Sequence, residues 1–198
     1  MTRSKTPPDL PGRCPRCWVV EQHCICAELG RSENRTEIVF VRHHWEAHKS
    51  TGTARIAALV LEKSRIVELG YDTALCDAEL ATIDGAWLLY PGAPAAPSEA
   101  APERLMVIDG TWAQSRRMLS RLPSLQRLRR YSLQVPPSAQ PALRKSPHAS
   151  GYSTIRAVAA ALAELEGPGV GAPLEHASRL HIERVLLARH GPAWLSAQ

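Results

Sequence analysis

The chain has no apolar run near the roughly 18–20 residues that a membrane-spanning helix needs. Its first residues, MTRSKTPPDLPG, lack the apolar stretch of a secretory signal, so export is not expected and disulfides are not anticipated. Residues 1–13 read as a short disordered tail. No G-x-G-x-x-G register fits: the glycine run GPGVGAP (167–173) follows a helical pattern rather than a strand, and reads as a linker. There is no internal repeat. Together these absences exclude a membrane span and a dinucleotide loop, and leave a soluble, cytoplasmic protein as the expectation.

What is present suits one domain with a small appendage: 198 residues, 44% of them hydrophobic, with a mean hydropathy of -0.20. A net charge of +5 and a pI near 9.2 suit a polyanionic partner, and equally suit simple solubility. Position favours the first, because basic residues cluster at 42–49, 115–121, 127–130 and 143–145, beside the motifs described below.

TEIVFV (36–41) is rich in β-branched residues and predicts a strand. Residues 51–63 place Ile56, Leu59 and Val60 at helical spacing. AWLLY (86–90) and RLMVI (104–108) are short apolar runs bounded by Gly, Pro and acids, as expected of buried parallel strands. The Pro/Ala-rich stretch between them, 91–103, is a loop. Helices are expected at about 112–122, 153–166 and 174–190, giving an α/β protein.

Four of the five cysteines fall within CPRCWVVEQHCIC (14–26). Zinc takes four soft ligands in a tetrahedron, and paired cysteines on tight turns supply them locally. Cys14, Cys17, Cys24 and Cys26 are therefore the expected ligands of a structural zinc module spanning 14–35, with His23 as a possible substitute. The rival is a redox dithiol, but that motif opens a long helix, and here a second cysteine pair intervenes. Cys76 stands alone and reads as a packed thiol. His44 and His48 lie four apart without a third ligand, which favours a solvated face over a metal site. His44 and Glu46 mimic the H-x-E element of zinc deaminases, yet the C-x-x-C precedes it here, which excludes that family.

In LMVIDGTWAQSRRML (105–119), a buried strand ends at Asp109 and Gly110. Ligands of open α/β sheets bind at that edge. Thr111 and Gln114 form a capping box, so a helix should begin at Trp112 with an N-terminus able to hold a carboxylate. Trp112 offers a flat face to an aromatic ring or a sulfonium. Equally, Asp109 can cap and Trp112 can pack in a core.

IDGTWAQSRRM resembles the D-x-T-W signature of the DTW-domain family. The cysteine cluster resembles that family's C-x-x-C…C-x-C, and RHHWEAHKSTGTARIA its R-H-x-x-E…T-x-R segment. LLYPG is similar to its aromatic-proline loop, and LRKSPHASGYSTIRAVAAAL to its R-K…S-T segment and following helix. These matches run in order from about residue 14 to 165.

The resemblance implies a SPOUT-like parallel sheet with a trefoil knot over 36–198; related knotted enzymes often dimerise, but the family's fused basic elements let a monomer work, and a monomer is expected here. It implies transfer of the 3-amino-3-carboxypropyl group of S-adenosylmethionine to N3 of a uridine in tRNA. Leu89, Tyr90 and Pro91 would lie near the adenine, and Gly110, Thr111 and Trp112 around the methionine arm. Ser153 and Thr154 would bind the carboxylate or a backbone group. Asp109 would be the base or would hold the cofactor's ammonium. Arg42, His43, Lys49, Arg116, Arg117, Arg144 and Lys145 would grip RNA phosphates. Two departures stand out: Ile155, Arg156 and Ala157 replace Leu-Glu-Ala, and Gly52 replaces a polar residue before Thr53. They leave room for a changed substrate, such as rRNA. A SPOUT-like methyltransferase and a non-catalytic zinc- and RNA-binding module are the competing functions.

Overall fold

The computed structural model describes residues 12–70, 72–92, 101–134, 143 and 152–192. Five parallel strands form one sheet: β1 (Glu37–His43), β2 (Ser64–Leu69), β3 (Ala86–Leu89), β4 (Arg104–Asp109) and β5 (Arg129–Tyr131), in the order β2-β1-β4-β3-β5. The helices are α1 (Ala54–Val60), α2 (Thr73–Ala81), α3 (Trp112–Arg121), α4 (Pro123–Gln126), α5 (Thr154–Glu166) and α6 (Pro168–His190).

Both sheet faces are covered, which is why the strands read as unbroken apolar runs. Ile38, Phe40, Leu105 and Val107 join one core cluster with α1, α5 and α6. Val39, Val41, Met106 and Leu88 join another with α2, α3 and α4. Cys14, Cys17, Val19 and Ile25 belong to the first cluster, so the cysteine segment shares the core of the α5–α6 layer.

The glycine run corrects the linker reading of 167–173. Only Gly167 breaks the chain, with φ of 109°. Pro168 then opens α6, where its missing N–H and fixed φ suit the first helical turn. The helix continues through Gly169, Gly171 and Pro173, so it begins at 168 rather than at the expected 174. Gly171 is required there because a Cβ would lie 2.3 Å from the Ala159 carbonyl oxygen of α5. Gly171 is thus the point of close packing between two helices, within a run that is otherwise exposed or half-buried.

The helix expected over 51–63 is shorter, because Ser64 begins β2, an edge strand that the sequence reading did not separate. The long α6 spans 23 residues, but among the described residues no helix is long and apolar enough to cross a membrane.

Candidate functional site

Strand β4 delivers Asp109 as its last residue, and Gly110 and Thr111 turn the chain into α3. The capping box forms as expected: the Thr111 hydroxyl accepts from the Gln114 N–H at 3.3 Å, and the Gln114 side chain accepts from the Thr111 N–H at 2.7 Å. A Cβ on Gly110 would meet the Gln114 side chain at 3.1 Å, so a larger residue there would press on the capping glutamine.

Beyond the carboxyl ends of β3, β4 and β5 lies a cavity of about 310 Å³. Leu89, Tyr90, Pro91 and Gly92 form one wall. Val107, Ile108, Gly110, Trp112 and Ser115 form a second, and Ser132, Leu133, Tyr152, Thr154 and Ala157 close it. The cavity is therefore mainly apolar, with three aromatic rings and a few hydroxyls, the makeup of a small-molecule pocket. Tyr90 is held from both sides of its backbone: its N–H donates to the Tyr131 carbonyl at 2.9 Å, and its carbonyl accepts from the Ser132 hydroxyl at 3.0 Å. The Arg130 guanidinium lies 5.6 Å from the Tyr90 ring centroid. Beneath, the buried Tyr131 hydroxyl donates to Glu164, and burial with that partner pushes its pKa up.

Asp109 is buried, 4% exposed, and does not itself line the cavity. Its Oδ1 accepts from the Thr154 hydroxyl at 2.7 Å, and Thr154 does line it. The start of α5 is fixed by a different threonine: the Ile155 N–H donates to the Thr53 hydroxyl at 3.3 Å, whereas Ser153 is exposed and its side chain caps nothing. The T-x-R and S-T segments, a hundred residues apart, thus meet at one helix end.

Of the expected cofactor residues, Leu89, Tyr90, Pro91, Gly110, Trp112 and Thr154 line one cavity, while Thr111, Ser153 and Asp109 do not. The sequence reading missed Gly92, Val107, Ile108, Ser115, Ser132, Leu133, Tyr152 and Ala157. Ser115 was within reach, since it lies one turn after Trp112 on the expected helix. Ser132 and Leu133 follow a three-residue strand too short to show a pattern.

The four cysteine sulfurs lie within 4.8 Å of one another, with Cys14–Cys26 at 3.7 Å and Cys17–Cys24 at 3.8 Å. Four sulfurs at about 2.3 Å from a tetrahedral centre are about 3.8 Å apart, so the spacing fits one zinc. These distances are too long for disulfides, and all five cysteines are free. Burial opposes ionisation of Cys14, but hydrogen bonds from the Cys17 and Arg16 backbone, together with those from the Cys24 and Cys17 side chains, lower its pKa to about 6, favouring a thiolate. Cys76 is buried on α2, and burial raises its pKa to about 11.

The expected RNA contacts divide. Arg116 and Arg117 are exposed on α3. Arg42 is only 12% exposed in its side chain and bonds Glu68 at 2.8 Å. Lys49 pairs with the buried Glu46, and His43 accepts from the Trp45 N–H at 3.2 Å. Arg144 and Lys145 lie outside the described residues. Arg156 is buried and faces Glu175 of α6 at 3.8 Å, so an acid answers it across the helix pair. Gly52 also has a local reason: a Cβ would stand 3.0 Å from the Glu46 carbonyl oxygen and 3.2 Å from that of Lys49.

The family model described as DTW domain matches residues 12–186. The chain is 30% identical over 176 residues to tRNA-uridine aminocarboxypropyltransferase 2 of Drosophila melanogaster, covering 82% of this chain and 70% of the fly protein. It is 28% identical over 167 residues to the proteins of that name from Macaca fascicularis and Mus musculus, covering 77% of this chain. It spans only 56% of each of those two proteins. No solved structure matches. With the match running from the cysteine cluster through the D-G-T-W turn into α6, the chain belongs to the DTW-domain family.

Proposed function

We propose that this chain transfers the 3-amino-3-carboxypropyl group of S-adenosylmethionine to N3 of a uridine in tRNA. The observation that carries this reading is the family's D-x-T-W turn opening onto a cavity at the carboxyl edge of a parallel sheet. The names of the fly, macaque and mouse relatives supply the substrate class.

The cavity fits the cofactor by chemistry. Leu89, Tyr90 and Pro91 offer an apolar slot for a purine, and the Trp112 and Tyr152 rings offer π-faces to a cation. The N-terminal turn of α3 faces the same space and favours a carboxylate. S-adenosylmethionine, when bound, supplies an electrophilic methylene on its methionine arm. The work of the chain is to select that carbon by orientation and to exclude the S-methyl. Uridine N3–H is a weak acid, so a group that receives or stabilises its proton is needed. Asp109 either does this directly or orders the wall through Thr154. Its burial behind Thr154 favours the ordering role.

Three finer parts belong to the same proposal. Cys14, Cys17, Cys24 and Cys26 hold a structural zinc, supported by their tetrahedral spacing. The sheet belongs to the knotted SPOUT-like class, supported by its parallel strands and by a cavity assembled from separated chain segments. The protein works as a cytoplasmic monomer.

The deciding experiment uses purified protein, tRNA lacking the modification, and cofactor labelled on either the carboxyl carbon or the S-methyl. Carboxyl label in RNA with methyl label left behind is the expected result. Methyl label in RNA makes the protein a methyltransferase, and carboxyl label entering rRNA alone redirects the substrate. RNA binding without either transfer leaves a binding module. In Asp109→Asn, lost transfer with intact cofactor affinity identifies a base, whereas weakened cofactor affinity identifies the ordering role.

A further inference from the structure

Two large apolar side chains stand exposed among the described residues, Leu75 at 71% and Trp45 at 58%. Leu75 is isolated on α2. Trp45 belongs to an array of three rings at the end of β1. The His43 and His44 rings stack, with centroids 4.5 Å apart and planes 24° from parallel. Trp45 sets its ring edgewise to both, at 5.7 and 5.6 Å.

The backbone fixes this array. The Trp45 N–H donates to Nδ1 of His43, and Nδ1 of His44 lies 3.1 Å from the Leu69 carbonyl on the neighbouring strand. Burial above all, then the charges of His44, Lys49 and Arg117 against that of Glu46, holds His43 below the usual histidine range. A neutral His43 ring can stack without repelling its neighbour.

Its position ties the array to the cavity. Arg42 pairs in register with Asp109, so the rings begin one residue after that pair, with His43 at the end of β1, beside the D-G-T-W turn. Cationic groups lie close by: the charges of Lys49, which pairs with Glu46, and of the exposed Arg117 both act on His43, and Arg42 precedes His43 in β1. More than half of the Trp45 residue is open, and a base is a flat group of a size to match its ring.

We propose that Trp45, backed by the stacked His43 and His44 rings, is a platform on which an unpaired RNA base next to the target uridine stacks. This rests on the reading of the substrate as RNA modified at uridine N3. N3 lies on the Watson–Crick edge, so the target must be unpaired when it reacts, and its neighbours in a loop are then free to stack.

The test compares the full chain with Trp45→Ala and Trp45→Phe. It measures affinity for unmodified tRNA at several salt concentrations, S-adenosylmethionine affinity, and KM and kcat for transfer. Trp45→Ala should bind tRNA roughly tenfold more weakly, since losing one stacked base costs about a factor of ten. Cofactor affinity and the slope of log affinity against log salt should stay unchanged, because no phosphate contact is lost. Trp45→Phe should recover most of the affinity. Undiminished tRNA affinity in Trp45→Ala overturns the platform and leaves the indole to a protein partner. Parallel loss of cofactor affinity, or a Phe variant as weak as Ala, overturns it as well. A parent protein that shows the Trp45 dependence in binding but transfers nothing defeats the proposed activity and leaves the platform standing.

Discussion

The two ends of the sheet use similar residues to opposite purposes. At the amino end, Asn34 is buried and spends its whole amide on backbone. It donates to the Thr36 and Lys63 carbonyls, both at 2.8 Å, and accepts from the Glu62 and Lys63 N–H groups at 3.1 and 3.2 Å. Glu37 pairs with Arg65 and Arg104, and Glu166 at the end of α5 takes the Arg35 and Thr36 N–H groups. At the carboxyl end the buried carboxylate of Asp109 supports the Thr154 hydroxyl, and beside it lie a hollow and a row of rings. Polar groups at one end splice segments together. At the other they brace a space that the strands leave open.

The sharpest way to break this contrast is Asn34→Ala. Losing four bonds of about 1 kcal/mol each predicts about 4 kcal/mol of lost stability. Chemical denaturation reads the loss, and cofactor affinity of the folded protein should not change. A shift in cofactor affinity comparable to the stability loss would show that the two ends are coupled.

The next effect is acid-dependent. His181 of α6 is buried, with Nε2 2.8 Å from the Ser50 carbonyl, and so pins the loop after β1. Burial lowers its pKa from 6.5 to about 4. Below 6.5 the unfolded chain takes a proton that the folded chain refuses, so stability is full above that pH and falls towards pH 4. The slope should approach about 1.4 kcal/mol per pH unit. His181→Gln keeps a donor for Ser50 without titrating, and should flatten the slope in denaturation curves between about pH 7 and the folded-state pKa. An unchanged slope assigns the acid sensitivity elsewhere.

Thr154→Val should cost about 2 kcal/mol, because Asp109 loses a buried partner. It should also weaken cofactor binding, with Thr154→Ser restoring both. Loss of stability alone, seen by calorimetry beside a melting curve, would move this pair into the splicing class. The smallest structural effect belongs to Arg116→Ala and Arg117→Ala. Each should change stability by less than about 0.5 kcal/mol, yet lower the salt slope of tRNA binding by about 1.

Much of the site was legible because it is local. The capping box of Thr111 and Gln114 and the cysteine pairs each lie within a short stretch of chain. Steric and hydrogen-bond rules at that range act whatever the rest of the chain does. The β3 and β4 strands were legible as apolar runs, since burial on both faces leaves no alternation to misread. Where the reading failed, distant partners decided. The run GPGVGAP looks like a breaker, and only the Ala159 backbone of α5 makes a helical Gly171 necessary. The three residues of β5 carry no pattern and pair only because β3 is there.

The sequence by itself determined the D-G-T-W turn, the cysteine geometry, the α/β alternation and the family. Each is written in neighbouring residues and needs only short-range physics. Tertiary structure alone decided the order β2-β1-β4-β3-β5 and the meeting of Thr53 with the start of α5. It also set Asp109 behind Thr154 rather than in the cavity wall, and left Trp45 exposed beside the His43 and His44 rings. Burial and exposure are properties of what lies across a gap, and residues far apart in the chain fill that gap or leave it open.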